Sequence, residues 1–165
     1  MHANEELIHR FYKAFQKHDG EAMAGCYHPD VRFSDPVYTH LQGWRAGAMW
    51  RFLCSRAANS GLAIVYDDVA ADDRTGRAHW VATYRFSTGR HVVNDIRAEF
   101  EFKDGKIVRH KDTFGLWKWT RMALGVPGLL LGWTPLLQNK VRRTAGGLFD
   151  RWCEKNNLAP AGGAK

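Results

Sequence analysis

His110 and Asp112 lie two residues apart in Ile107-Val108-Arg109-His110-Lys111-Asp112-Thr113-Phe114. The run alternates as a strand does, so the two share one face with Val108 and Phe114, while Arg109, Lys111 and Thr113 take the other. An imidazole and a carboxylate on the apolar side of a strand can exchange protons, and burying them unpaired is costly. They either satisfy each other in a core or face a pocket as an acid/base pair; both readings stand at this point. The two preceding strands carry walls for such a pocket. Ala78, Trp80, Ala82, Tyr84 and Phe86 share one face, and Asn94, Ile96, Ala98, Phe100 and Phe102 share one face of the next. The Tyr84 hydroxyl and the Asn94 amide are the polar handles there, able to orient a carbonyl or simply to satisfy the core. Trp50 falls at helical spacing with Ala46, Met49, Leu53 and Ala57, as core or as lid. Asp35 ends a short alternating run, 31–34, and precedes Pro36, Val37 and Tyr38. It caps a turn there, or sits at an apolar mouth with Tyr38 beside it.

Other chemistries lack their spacing. Asp35, His110 and Asp112 show no metal-ligand pattern, so no metal is expected. Ser34 and Ser87 lack the flanks of a nucleophile elbow. Thr88-Gly89-Arg90 reads as a hairpin turn, with no GxGxxG and no helix after it.

The elements that must hold these residues follow from periodicity. Asn4 can cap a first helix, with Glu5 and Glu6 in its first turn and Leu7, Ile8, Phe11, Tyr12 and Phe15 on its apolar face. A short helix over 21–27, a turn at His28-Pro29-Asp30, a strand over 31–34 and a helix over 43–58 come next. Period two then holds over 62–69, 78–86, 92–102 and 107–116, joined by hairpin linkers such as Lys103-Asp104-Gly105-Lys106. Helices first and an antiparallel meander afterwards give an α+β class, with helices packed on one face of a sheet over a concave pocket.

A chain of 165 residues that is 45% hydrophobic holds one domain with an ample core. The net charge of +7 resides almost wholly in the last third: residues 118–165 carry +6 and residues 1–117 carry +1. Basic residues are not interleaved with strand aromatics, so nucleic acid is not expected. Cys26, Cys54 and Cys153 are widely spaced and fit a reduced, cytoplasmic protein. The first residues carry neither a basic nor an apolar leader segment. Residues 122–133 are apolar, with glycines at 125, 128 and 132, and Thr134-Pro135 opens a last helix. Leu137, Val141, Ala145, Leu148 and Trp152 fall on one side of it, with Lys140, Arg142, Arg143 and Arg151 over the rest. This stretch, 120–155, is expected to pack on residues 1–119; docking on an anionic membrane surface is the less favoured reading. Residues 156–165 read as frayed.

The order of elements, with Phe11-Tyr12-Lys13-Ala14-Phe15, Asp19, Met23, Tyr27, Asp30 to Val37, and Asp104 to Phe114, resembles the nuclear-transport-factor-2-like superfamily, SnoaL-like and ketosteroid-isomerase-like branch. The resemblance implies a cone-shaped curved sheet with N-terminal helices over its concave face, no cofactor, an apolar small-molecule ligand and a homodimer through the outer sheet face. In the isomerase branch the carboxylate before the proline is the general base, which falls on Asp35. The SnoaL-like cyclases place a carboxylate on a late strand, which Asp112 matches by strand and face, with His110 tuning or relaying. Tyr84, Asn94, Trp50, Tyr38 and Trp80 would then line the substrate site. The isomerase's oxyanion donors fall on Phe11 and near Ala98, neither of which can donate, so steroid isomerisation is not expected. Isomerisation, cyclisation, dehydration or hydration of a carbonyl compound is one expectation; a non-catalytic binding module is the other.

Overall fold

The computed structural model describes residues 1–158; residues 159–165, most of the tail expected to fray, lie outside the described residues. Its helices are α1 (Ala3–Gln16), α2 (Gly20–Gly25), α3 (Trp44–Ser60), α4 (Leu116–Leu124), α5 (Val126–Leu131) and α6 (Pro135–Lys155). Its strands are β1 (Tyr27–Ser34), β2 (Leu41–Gln42), β3 (Ala63–Ala71), β4 (Thr75–Arg85), β5 (His91–Lys103) and β6 (Lys106–Thr113). They form one curved, open sheet in the order β2-β1-β6-β5-β4-β3. The α+β class with helices over a curved sheet is the one the sequence implied.

The meander from β3 to β6 follows from turn chemistry. Asp72 Oδ1 accepts from the backbone N–H groups of Arg74 and Thr75, closing the first hairpin. Asp104 and Gly105 both adopt positive φ, 52° and 70°, as a two-residue type I′ loop requires. The sheet is not wholly antiparallel, however, because β1 runs parallel to β6. The turn expected at His28-Pro29-Asp30 lies inside β1. There the register slips, from Tyr27 opposite Ile107 to Arg32 opposite Arg109, so an irregular stretch absorbs the proline without ending the strand.

A second slip shapes the site. Phe102 pairs with Ile107 and Glu101 with Arg109, which leaves Val108 as an extra residue on β6. Ile107 is therefore the buried neighbour of His110 and Asp112, and Val108, expected on their face, is only partly covered. Another correction concerns α1: His2 is its cap, in a capping box with Glu5, and Asn4 instead donates its amide to the Asp72 carbonyl. Phe11 and Phe15 from α1 meet Trp50 from α3, and Phe15 meets Trp80 from β4, edge to face at 5.1–5.4 Å.

Helix α4 stands where the sequence pattern implies the end of a strand and the start of an apolar run. Leu116, Trp119, Thr120 and Ala123 are its buried residues, at helical spacing against Val92 of β5. The buried residues of α6 are Phe149 and Cys153, outside the stripe expected for it; Phe149 lies against Tyr38 and Phe52. Helix α5 folds back on α4 through glycine. A Cβ on Gly128 would collide with the Thr120 carbonyl, which is backbone and cannot yield. Gly128→Ala is expected to cost about 1–3 kcal/mol, read as a lowered urea midpoint; an unchanged midpoint would mean that α5 does not need this contact.

Candidate functional site

Both carboxylates open onto one cavity of about 580 Å³ between the inner sheet face, α3 and the C-terminal helices. That is the size of a small-molecule site. Asp35, Asp112, Trp50, Tyr38, Trp80, Tyr84 and Asn94 all line it, together with Phe15, Val37, Leu53, Ile96, Phe114 and Trp119. His110 does not: it is fully buried behind Asp112. Residues 129–133 lie outside the cavity, while Thr144, Ala145 and Leu148 of α6 form part of its wall.

Asp35 fills the two places the sequence left open. Its Oδ1 accepts from the backbone N–H groups of Val37 at 2.7 Å and Tyr38 at 2.6 Å, so it builds the turn. Among the described residues Oδ2 accepts no hydrogen bond, and the carboxyl faces the cavity. Burial pushes the Asp35 carboxyl up to about 7, the charge of Asp112 adds to the rise, and the turn's two N–H groups offset part of it. A carboxyl in that range is half protonated near neutral pH, and so can both accept and return a proton.

Asp112 is held from behind. Its Oδ1 accepts from His110 Nε2 at 2.9 Å and lies 3.4 Å from the donor Trp80 Nε1. His110 Nδ1 meets the Tyr27 hydroxyl at 2.7 Å, and Trp50 Nε1 lies 2.6 Å from that same oxygen. An indole only donates, so the Tyr27 oxygen accepts from Trp50; with His110 Nε2 donating to Asp112, Nδ1 is left to accept the Tyr27 proton. The proton of His110 is then on Nε2, directed at Asp112. The row Trp50–Tyr27–His110–Asp112 is a directed chain that ends at the cavity wall. Sequence reasoning missed Tyr27 because the proline two residues on hid the start of β1. It also missed the pairing of Trp119 and Tyr84, although the helical spacing of Leu116, Trp119, Thr120 and Ala123 was there to be read.

The polar handles are free on the cavity side. Tyr84 Oη accepts from Trp119 Nε1 at 2.7 Å, which leaves its own proton to be donated. Burial raises the Tyr84 hydroxyl, so it stays protonated. The Asn94 side chain makes no hydrogen bond among the described residues, although little of it is exposed. Phe11 is wholly in the core. The hydroxyl of Tyr12 is buried with no hydrogen-bond partner among the described residues, and its ring packs on Tyr66 and Trp80. No group of three or more His, Cys, Asp or Glu among the described residues is placed to hold a metal ion.

Residues 8–110 match the model of the SnoaL-like domain. The chain belongs to the SnoaL-like domain family. The match stops at His110, so Asp112 and α4 to α6 of this SnoaL-like protein lie beyond it. Solved structures share its nuclear-transport-factor-2-like fold at low identity. TerC, co-crystallised with polyporic acid, is 18% identical with a TM-score of 0.63, over 74% of this chain and 99% of its own. A putative polyketide cyclase of Xanthomonas campestris is 22% identical, with a TM-score of 0.58 over 72% and 94%. An LEH-like epoxide hydrolase of M. tuberculosis is 17% identical, with a TM-score of 0.58 over 78% and 96%. At such identity the likeness is one of fold. No match was found among curated proteins.

Proposed function

We propose that this SnoaL-like protein carries out cofactor-independent acid/base chemistry on an apolar, carbonyl-bearing small molecule. The observation that carries the reading is the pair of carboxylates in unequal surroundings on one apolar cavity: Asp35, pushed up to about 7, and Asp112, backed by His110 and Trp80. In the step proposed, Asp35 takes a proton from the carbon beside the carbonyl. The electron pair of that C–H bond forms a carbon–carbon double bond as the carbonyl π pair moves onto oxygen, which receives hydrogen bonds from Tyr84 and Asn94. Returning the proton at a second carbon completes an isomerisation; attack of the enolate on a second carbonyl, which takes up the proton, closes a ring. Asp112 faces the same space as a fixed acceptor for a substrate hydroxyl, and His110 positions it.

The test needs no prior substrate. A panel of apolar ketones is incubated with the protein in D2O, and deuterium gained beside the carbonyl is read by mass spectrometry. Exchange is expected to rise with pH through about 7, as Asp35 becomes ionised. Asp112→Asn removes a charge that helps to raise Asp35, and is expected to move the rise in exchange to lower pH. Exchange no faster than with heat-inactivated protein, for every ketone, would overturn the reading.

The missing donors at Phe11 and Ala98 favour a second reading, a ligand-binding module without turnover. Quenching of Trp50 and Trp80 fluorescence by a ketone that never exchanges would select it.

A further inference from the structure

Helix α5 and its flanks expose a run of large apolar side chains unlike any other among the described residues. Val126 is 67% exposed, Leu130 62%, Leu131 53%, Trp133 62% and Leu136 78%. Such a contiguous run is unusual on a water-facing surface and marks an interaction site. Three further observations say what covers it.

The first is charge. From Leu116 to Phe149 there is no acidic side chain, while Lys118, Arg121, Lys140, Arg142 and Arg143 fall in the same stretch. All but Arg142 are exposed. The second is the backbone. Carbonyls at the end of a helix are ordinarily left to water; here side chains reach them. Trp117 Nε1 donates to the Leu129 carbonyl at 3.1 Å, Trp133 Nε1 to that of Leu130 at 3.0 Å, Thr134 Oγ1 to that of Leu131 at 2.5 Å, and Gln138 Nε2 to that of Gly132 at 3.0 Å. Backbone that enters an apolar medium must be satisfied in this way. The third is symmetry. A two-fold dimer through the patch would set its cations against their own copies with no carboxylate between them.

We infer that α5 and its flanks dock into the surface of an anionic lipid bilayer, with the apolar side chains in the interface and the basic ones at the headgroups. No helix among the described residues is long and apolar enough to cross a membrane, so the protein lies on the surface through this segment. The inference does not depend on the proposed chemistry.

The test uses the full chain and sedimentation with phosphatidylcholine vesicles, with and without about 30% phosphatidylserine, at about 50 mM and about 500 mM NaCl. Binding is expected only to the serine-containing vesicles, with loss of most of it at high salt. Leu130→Asp with Leu131→Asp places charge at two exposed positions and is expected to weaken binding at least about tenfold, as is Lys118→Ala with Arg121→Ala. Circular dichroism confirms that the variants are folded. No binding at low salt would overturn the inference, and so would binding that both double variants retain. Sedimentation velocity provides the remaining arm: a dimer that the Leu130 and Leu131 substitutions dissociate would identify the patch as a contact between copies and overturn lipid docking.

Discussion

Asp35→Asn is expected to abolish carbon-proton exchange, by at least about 100-fold, while making the protein more stable above neutral pH. The two effects have one cause. The wild-type carboxyl is raised from 3.8 to about 7 in the folded protein, so between about pH 4 and 7 the folded state keeps a proton that the unfolded chain has released. Stability therefore falls as pH rises through that window and is level above it. Asparagine has no proton to lose, and its side-chain oxygen can still accept from the N–H groups of Val37 and Tyr38, so the turn survives. The gain over wild type should be absent near pH 4 and full above pH 7, on the order of a few kcal/mol in urea unfolding. A variant that loses exchange without this pH-dependent gain would show that the folded protein does not raise the Asp35 carboxyl. One that gains stability but exchanges normally would remove it from the chemistry.

His110→Ala is expected to cost about 3–5 kcal/mol. It empties a site enclosed by Phe11, Phe33, Trp50 and Phe100. It also strips Asp112 of its 2.9 Å donor and leaves the Tyr27 proton without an acceptor. His110→Phe restores the ring but not the nitrogens, and should recover only the packing share of that loss. Urea midpoints of the two variants separate these shares. Equal stability of His110→Phe and wild type would mean that the hydrogen-bonded chain contributes nothing net.

The sequence was most legible where one pattern ran unbroken. Long alternating strands and hairpin loops such as Asp104-Gly105 placed Trp80, Tyr84, Asn94 and Asp112 on the faces they occupy. It was least legible where an irregularity hid inside an element. Pro29 concealed the start of β1 and with it Tyr27, the partner of His110. The mixed signal around Leu116, an apolar residue that fits either period, concealed α4 and the partner of Tyr84. Asp35 posed a different difficulty: a turn-capping oxygen and a cavity-facing oxygen belong to one carboxylate, and no linear pattern tells them apart. The parallel pairing of β1 with β6 joins segments some eighty residues apart and leaves no mark on either.

The extra residue at Val108 gives the last strand a property unlike that of its neighbours. Ile107 and His110 both point inward although they lie three positions apart, an odd interval that regular alternation forbids. The bulge acts as a phase shifter, joining a half of β6 timed to one beat with a half timed to the other. Removing Val108 alone would leave Ile107, His110 and Asp112 on one face in plain alternation, with Arg109 and Lys111 on the other, whereas a substitution of Val108 keeps the bulge.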